Sequence, residues 1–265
     1  MVLQEKVTSP AAPAAGIVIL RKAVQIIGEL LITAGIVLLL FVGWQLWWTN
    51  VASDAKQSEV VKDFARGLGG PATPKQPPTP GSGAAPGAAD YGAPVVAAAP
   101  AHGGTIGIMY IPRFGPNYAR PIVEGTTADV LDTLGLGHYG STSMPGAVGN
   151  FAVAGHRQTH GAVLDNIHTL VPGDKIYVQT RDGYYVYVFR NNRIVIPSNA
   201  DVLLPVPSRP GARPTERFLT MTSCNPRFGS EERIIAYSVL DHWQPTSAGP
   251  PSEIAAQVAR ARGEG

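Results

Sequence analysis

Residues 216–240 read ERFLTMTSCNPRFGSEERIIAYSVL, and the rest of the chain is organised around them. Phe218, Leu219 and Met221 mix with Thr220 and Thr222 in a β-prone run that ends at Cys224, the only cysteine. A break at Asn225-Pro226 and a charged turn follow, then a second apolar strand from Ile234 to Leu240. The cysteine therefore stands at a strand end where a loop begins, held by the strand and left accessible by the loop. Arg233 opens the returning strand, so hairpin pairing brings its guanidinium back toward the thiol. A lone cysteine is more often a small buried hydrophobe. Two features weigh against that reading here: an extracytoplasmic setting and a histidine, His156, in a matching strand-end position.

The setting follows from residues 26–48, IIGELLITAGIVLLLFVGWQLWW, where only Glu29 is charged. The run is long enough to cross a hydrocarbon core of roughly 30 Å. Trp44, Trp47 and Trp48 stand where an interfacial aromatic belt is expected, and Lys6, Arg21 and Lys22 favour an inside N-terminus. A cleaved signal peptide is the competing reading, disfavoured by the length of the run and by a poor cleavage site after Trp48. A buried core helix is disfavoured because the run is apolar on all faces.

Composition shifts divide the chain further. Residues 1–22 are expected to be a cytoplasmic tail, 23–48 the transmembrane helix and 49–68 a juxtamembrane helical segment. In the last of these, Val60, Val61, Phe64 and Leu68 stand at helical spacing, extending the membrane helix or lying on the bilayer surface. Residues 69–103, rich in Pro, Gly and Ala, have too few large apolar groups to offset their ordering entropy and are expected to be a disordered linker. Residues 104–243 are expected to form the folded domain that carries Cys224 and His156, and 244–265 a loose tail with an exposed helix over 252–262. The net charge of +2 and the absence of a Lys/Arg cluster argue against nucleic acid as a partner.

Within 104–243, strands are expected at 105–111, 149–155, 175–180, 184–190 and 193–196, with a hairpin turn at Arg181-Asp182-Gly183. A short helix is expected over 126–134, and a helical turn over 165–170. Many short strands with few helices predict a mainly β fold, a closed β-barrel of about eight strands.

A thiol is a good nucleophile only as thiolate, so a catalytic cysteine needs a base or cation beside it and a group to hold the oxyanion. His156 ends the apolar run Gly149-Asn150-Phe151-Ala152-Val153-Ala154-Gly155 and is the candidate base. Arg233 is the candidate oxyanion group, with Arg157 and Arg227 as competitors; Arg157 fits an ion-pair role equally well. Asp165 is a candidate to orient the histidine or to cap a helix. His160, four residues after His156, raises a metal pair, but the bracketing glycines and the lack of an evident acidic third ligand lead to the expectation of no metal and no cofactor.

Thr220-Met221-Thr222-Ser223-Cys224 resembles the Thr-Leu-x-Thr-Cys signature of sortases, the membrane-anchored cysteine transpeptidases of Gram-positive cell walls. Cys224-Asn225-Pro226-Arg227-Phe228, the Glu232-Arg233 pair and the 149–157 run most resemble class E sortases of high-GC Gram-positive bacteria. The departures are Met221 for Leu and Ser223 for Thr, which bear on packing before the nucleophile and not on its chemistry. The resemblance implies that Cys224 attacks the Thr–Gly carbonyl of a C-terminal sorting signal, of Leu-Ala-x-Thr-Gly or Leu-Pro-x-Thr-Gly type, to form a thioacyl enzyme. It implies His156 as acid and base and Arg233 as oxyanion group, with Thr222, Ser223, Arg157 and Tyr139 as candidate substrate contacts. The implied partners are surface proteins bearing the signal, a peptidoglycan stem-peptide amine, and the membrane, with the N-terminus cytoplasmic and the catalytic domain extracellular. The alternatives are a pilin-polymerising sortase, a cysteine hydrolase using the same groups, and a non-catalytic wall-associated scaffold. No Asp-Pro-aromatic lid motif stands before the barrel, which favours wall anchoring.

Overall fold

The structure, a computed structural model, describes residues 15–68 and 91–264. Most of the expected cytoplasmic tail and residues 69–90 of the expected linker lie outside the described residues. The chain divides into two compact units, 1–48 and 49–265. In the first, residues 15–48 belong to helix α1, Ala15–Arg66, whose described apolar side chains there, such as Leu30, Leu39 and Trp47, are exposed. Helix residues 18–66 include a window of mean hydropathy 2.5 and are long and apolar enough to cross a membrane.

The second unit is built on eight strands: β1 Thr105–Tyr110, β2 Ala119–Glu124, β3 Leu136–His138, β4 Gly149–Ala154, β5 Lys175–Gln179, β6 Gly183–Val195, β7 Arg217–Asn225 and β8 Glu232–Pro245. They close into a barrel in the order β1-β2-β3-β4-β7-β8-β6-β5, as the count of short strands predicts. Closure leaves no open sheet edge. Two strands escape sequence reading: β2, because Arg120-Pro121 interrupts its alternation, and β3, because its three residues are too short for a periodicity. The expected strands at 184–190 and 193–196 are one strand, β6, with a register irregularity between Phe189 and Asn191 that accounts for the polar interruption. The expected helix over 126–134 shrinks to one turn, α2, Ala128–Leu131.

Phe151 and Val153 of β4, Leu219 and Met221 of β7, and Tyr185, Tyr187 and Phe189 of β6 fill the interior, each with almost no exposure. A second apolar cluster lies on the β1–β5–β6 side. There Val61, Phe64, Ala65 and Leu68 meet Ile108, Tyr110, Tyr177, Tyr184 and Val186, together with Ile254, Val258 and Ala261. The apolar stripe at 61–68 therefore covers barrel surface and does not lie on the bilayer. Phe64 also carries the Arg181 guanidinium 5.4 Å from its ring centre. Large-to-small core changes of this kind cost about 3–5 kcal/mol. We expect Phe64→Ala to lower stability by about 3 kcal/mol in denaturant titration; an unchanged midpoint would return this stripe to the membrane surface.

Two further segments expected to be loose are packed. Residues 91–103 lie along the barrel because barrel donors reach their carbonyls: Trp243 Nε1 donates to Gly92 O at 2.8 Å, and the Tyr185 hydroxyl to Val95 O. Gly103 N donates to Glu124 O, and His102 Nε2 stands 2.9 Å from Asp129 Oδ2. Composition alone missed this, since the anchoring groups belong to the barrel. The tail forms helix α3, Ala255–Arg262, with Val258 fully buried and Gln257 Nε2 donating to Gly115 O and Tyr118 O. It is docked and not exposed.

Candidate active site

β4 and β7 are parallel neighbours, in register from Gly149↔Arg217 to Ala154↔Thr222. The pairing carries one step further, with Gly155 N donating to Thr222 O at 3.1 Å and the Ser223 hydroxyl donating to Gly155 O at 2.8 Å. Parallel strands in register leave the barrel at the same end, so His156 and Cys224 emerge side by side. Gly155 makes the exit possible. A Cβ there would stand 2.6 Å from Val163 Cγ2 and 2.8 Å from Leu136 Cδ2. We expect Gly155→Ala to destabilise the protein by about 1–3 kcal/mol through overpacking, measured by thermal or denaturant unfolding; a neutral result would mean the histidine loop yields freely.

His156 Nε2 lies 2.7 Å from Asp132 Oδ1, and its ring centre lies 4.9 Å from that of His160, the two rings tilted by 37°. Asp132 closes the one-turn helix α2. Asp165, the residue expected to orient the histidine, is instead bound in both oxygens by Arg227, at 2.7 and 2.6 Å. That bidentate pair also removes Arg227 from competition for the oxyanion. Asp132 carries no motif that sequence reading could have found; barrel closure delivers it across β3. It also supplies the acidic neighbour that the pair His156 and His160 lacks in sequence, so one of the two grounds for expecting no metal does not hold.

Cys224 is a free, partly exposed thiol, directly paired with Arg233 across β7 and β8. Arg233 Nη1 donates to Ser230 O and Glu232 O, at 2.9 and 2.8 Å, and no carboxylate among the described residues pairs with it. Its fork is anchored, with charge left over for an anion. Arg157 is almost fully buried beneath the thiol: Nη1 donates to Cys224 O at 3.1 Å and to Asn225 Oδ1. Burial pushes its pKa down, and Asp165 partly restores it. It holds the backbone at Cys224 from the interior side. Ser223 and Thr222 are likewise buried, with the Thr222 hydroxyl 2.9 Å from the Tyr139 hydroxyl. Three of the four expected substrate contacts therefore serve the interior, and partly exposed Tyr139 is tied to one of them. Phe228, four residues past the thiol, is 82% exposed on the same loop.

The barrel and its strand-end pair belong to a recognisable class. Residues 109–241 match the sortase domain model. Sortase SrtE1 of Streptomyces coelicolor is 36% identical over 243 residues, 88% of this chain, which spans 61% of that protein's length. Sortase SrtE2 of the same organism is 32% identical over 252 residues, 89% of this chain and 90% of that protein. Among solved structures, the SrtA sortase from Actinomyces oris superposes with TM-score 0.58 at 38% identity, over 62% of this chain and 94% of that one. Sortase E1 from Streptomyces coelicolor, solved with a tripeptide in the active site, gives TM-score 0.53 at 38% identity, covering 60% of this chain and 99% of that one. The chain belongs to the sortase family, whose members are cysteine transpeptidases, and its relatives include class E sortases.

Proposed function

We propose that the chain is a class E-type sortase, anchored by α1, with its barrel outside the cell, joining surface proteins to a cell-wall amine. The observation that carries this reading is the parallel β4–β7 register, which brings Cys224 and His156 out at one end of the barrel. In the first step the Cys224 thiolate adds to the threonine carbonyl of the sorting signal. The Thr–Gly C–N bond breaks as protonated His156 gives its proton to the leaving amine, and a thioacyl enzyme remains. In the second, the incoming amine adds to the thioester, His156 takes its proton, and the C–S bond breaks to restore the thiolate. Arg233, opposite the thiol and free of a carboxylate partner among the described residues, holds the developing oxyanion. Asp132 fixes the imidazole through Nε2.

Incubation with a Leu-Ala-x-Thr-Gly peptide, with and without an amine acceptor, followed by mass spectrometry, tests the reading. Because 49–68, 91–103 and α3 pack on the barrel, the protein used should include residues 49–265. A Thr-linked amine adduct and a Cys224 thioester are expected. Water as the sole acceptor would mean a hydrolase; no cleavage, also of Leu-Pro-x-Thr-Gly, would mean a scaffold.

A further inference from the structure

Asp132, His156 and His160 each offer a ligand atom, and these atoms all lie within 4.8 Å of one another. Asp132 Oδ1 stands 2.7 Å from His156 Nε2 and 3.8 Å from His160 Nδ1. Around a tetrahedral ion with bonds of about 2.0–2.2 Å, neighbouring ligand atoms are roughly 3.4 Å apart, so small side-chain movements suffice. All three side chains are between about a quarter and two-fifths exposed, at 27%, 39% and 31% for His156, Asp132 and His160, leaving a route for an ion from solvent.

Two of these ligands are also held from behind by one face of α1. The Ser53 hydroxyl donates to Asp132 O at 2.8 Å, and one turn later Gln57 Nε2 donates to His160 O at 3.0 Å. Asn50 clamps the same loop, accepting from Gly161 N and donating to Gln158 O. His160 keeps a left-handed backbone, φ 53°, which these bonds maintain. The helix thus fixes the backbone that carries the carboxylate and the second imidazole.

We propose that Asp132, His156 and His160 form a binding site for a divalent transition ion of the zinc class, and that its occupancy switches the enzyme off. The consequence for turnover rests on the reading of His156 given above; the site itself does not. An ion on Nε2 leaves the neutral ring with its proton on Nδ1. Such a ring has no lone pair for the incoming amine's proton and is a poor donor to the leaving amine. Asp132 and His156 mixed with a second histidine suit zinc, which accepts imidazole and carboxylate alike.

The test uses the untagged full chain in detergent with Cys224→Ala, so that the thiol is not a competing ligand, titrated with zinc ion alone by calorimetry. One zinc per chain is expected, weakened at least tenfold by His160→Asn, a residue that tolerates the left-handed backbone. Gln57→Ala, which keeps all three ligands and frees only the His160 carbonyl, should weaken it by less than His160→Asn does. Circular dichroism melting checks that each variant is folded. No stoichiometric binding, or binding changed less than tenfold by His160→Asn, overturns the site. In the protein with Cys224, the ratio of zinc-treated to untreated turnover should be low, restored by chelator, and raised at least tenfold in His160→Asn. An unchanged ratio with binding intact would overturn the switch alone. If the chain proves not to be a transpeptidase, the calorimetry still decides the site.

Discussion

Cys224→Ala is expected to remove turnover entirely and to leave the barrel as stable as before. The contact that Cys224 makes inward runs through its backbone: its carbonyl accepts from Arg157, and alanine preserves that bond. Its thiol is partly exposed and lies outside the apolar clusters of the barrel, so the deletion opens no core cavity. A change of this kind shifts stability by about 0.5 kcal/mol or less. In the proposed mechanism no thioester forms without the sulfur, and the remaining groups have nothing to activate. Peptide turnover by chromatography and the unfolding midpoint, measured on one preparation, check both halves. A variant that unfolds would make Cys224 a core residue, and one that still turns over would place the nucleophile elsewhere.

The next largest effect is expected at His156. Positioned acid–base groups contribute about 10²–10⁴-fold to rate, so His156→Ala should reduce kcat by that factor with little change in KM. Asp132→Asn should act in the same direction more weakly. It removes a charge-assisted hydrogen bond of 2.7 Å that is more than a quarter exposed at both ends. Bonds to charged groups contribute about 1.5–3 kcal/mol, and solvent screening puts this one at the lower end. A loss of roughly tenfold in kcat follows, again with KM nearly constant. The ordering is the informative part. If Asp132→Asn were as damaging as His156→Ala, the carboxylate would be taking part in the proton transfers and not only positioning the ring. If it raised KM and left kcat alone, it would be a substrate contact.

Residues 49–68 are part of the barrel unit and not a detachable tether. Asn50, Ser53 and Gln57 bond the loop and the residue that surround the histidine. Phe64 and Leu68 seal the neighbouring barrel face. A barrel cut at residue 104 would lose these bonds as well as the strap at 91–103 that Trp243 and Tyr185 hold.

Local chemistry was enough for much of this. The alternation of Phe218 to Cys224, the break at Asn225-Pro226 and the return at Ile234 specify a hairpin, and the hairpin sets Cys224 opposite Arg233. A run of apolar residues ending in Gly155-His156 specifies a strand with a histidine at its tip. The apolar helix needs only its length and composition. Each of these signals is carried by residues next to one another, whose period and turn chemistry select one backbone form.

What tertiary structure alone decided are the pairings between distant residues. His156 meets Asp132 across 24 residues, Ser53 meets Asp132 across 79, and Gln57 meets His160 across 103. The strap at 91–103 and the docked α3 depend on donors and apolar faces supplied by other strands. The parallel pairing of β4 with β7 belongs here too, since it exists only once the barrel closes. No local period marks such contacts, because hydrogen-bond and burial energies are realised between groups that only a closed sheet brings within reach. The sequence by itself therefore determined which residues are candidates for the chemistry and on what elements they stand; closure of the barrel decided which carboxylate meets the histidine, which arginine lies buried against the Cys224 backbone, and which face of α1 holds Asp132 and the 158–161 loop.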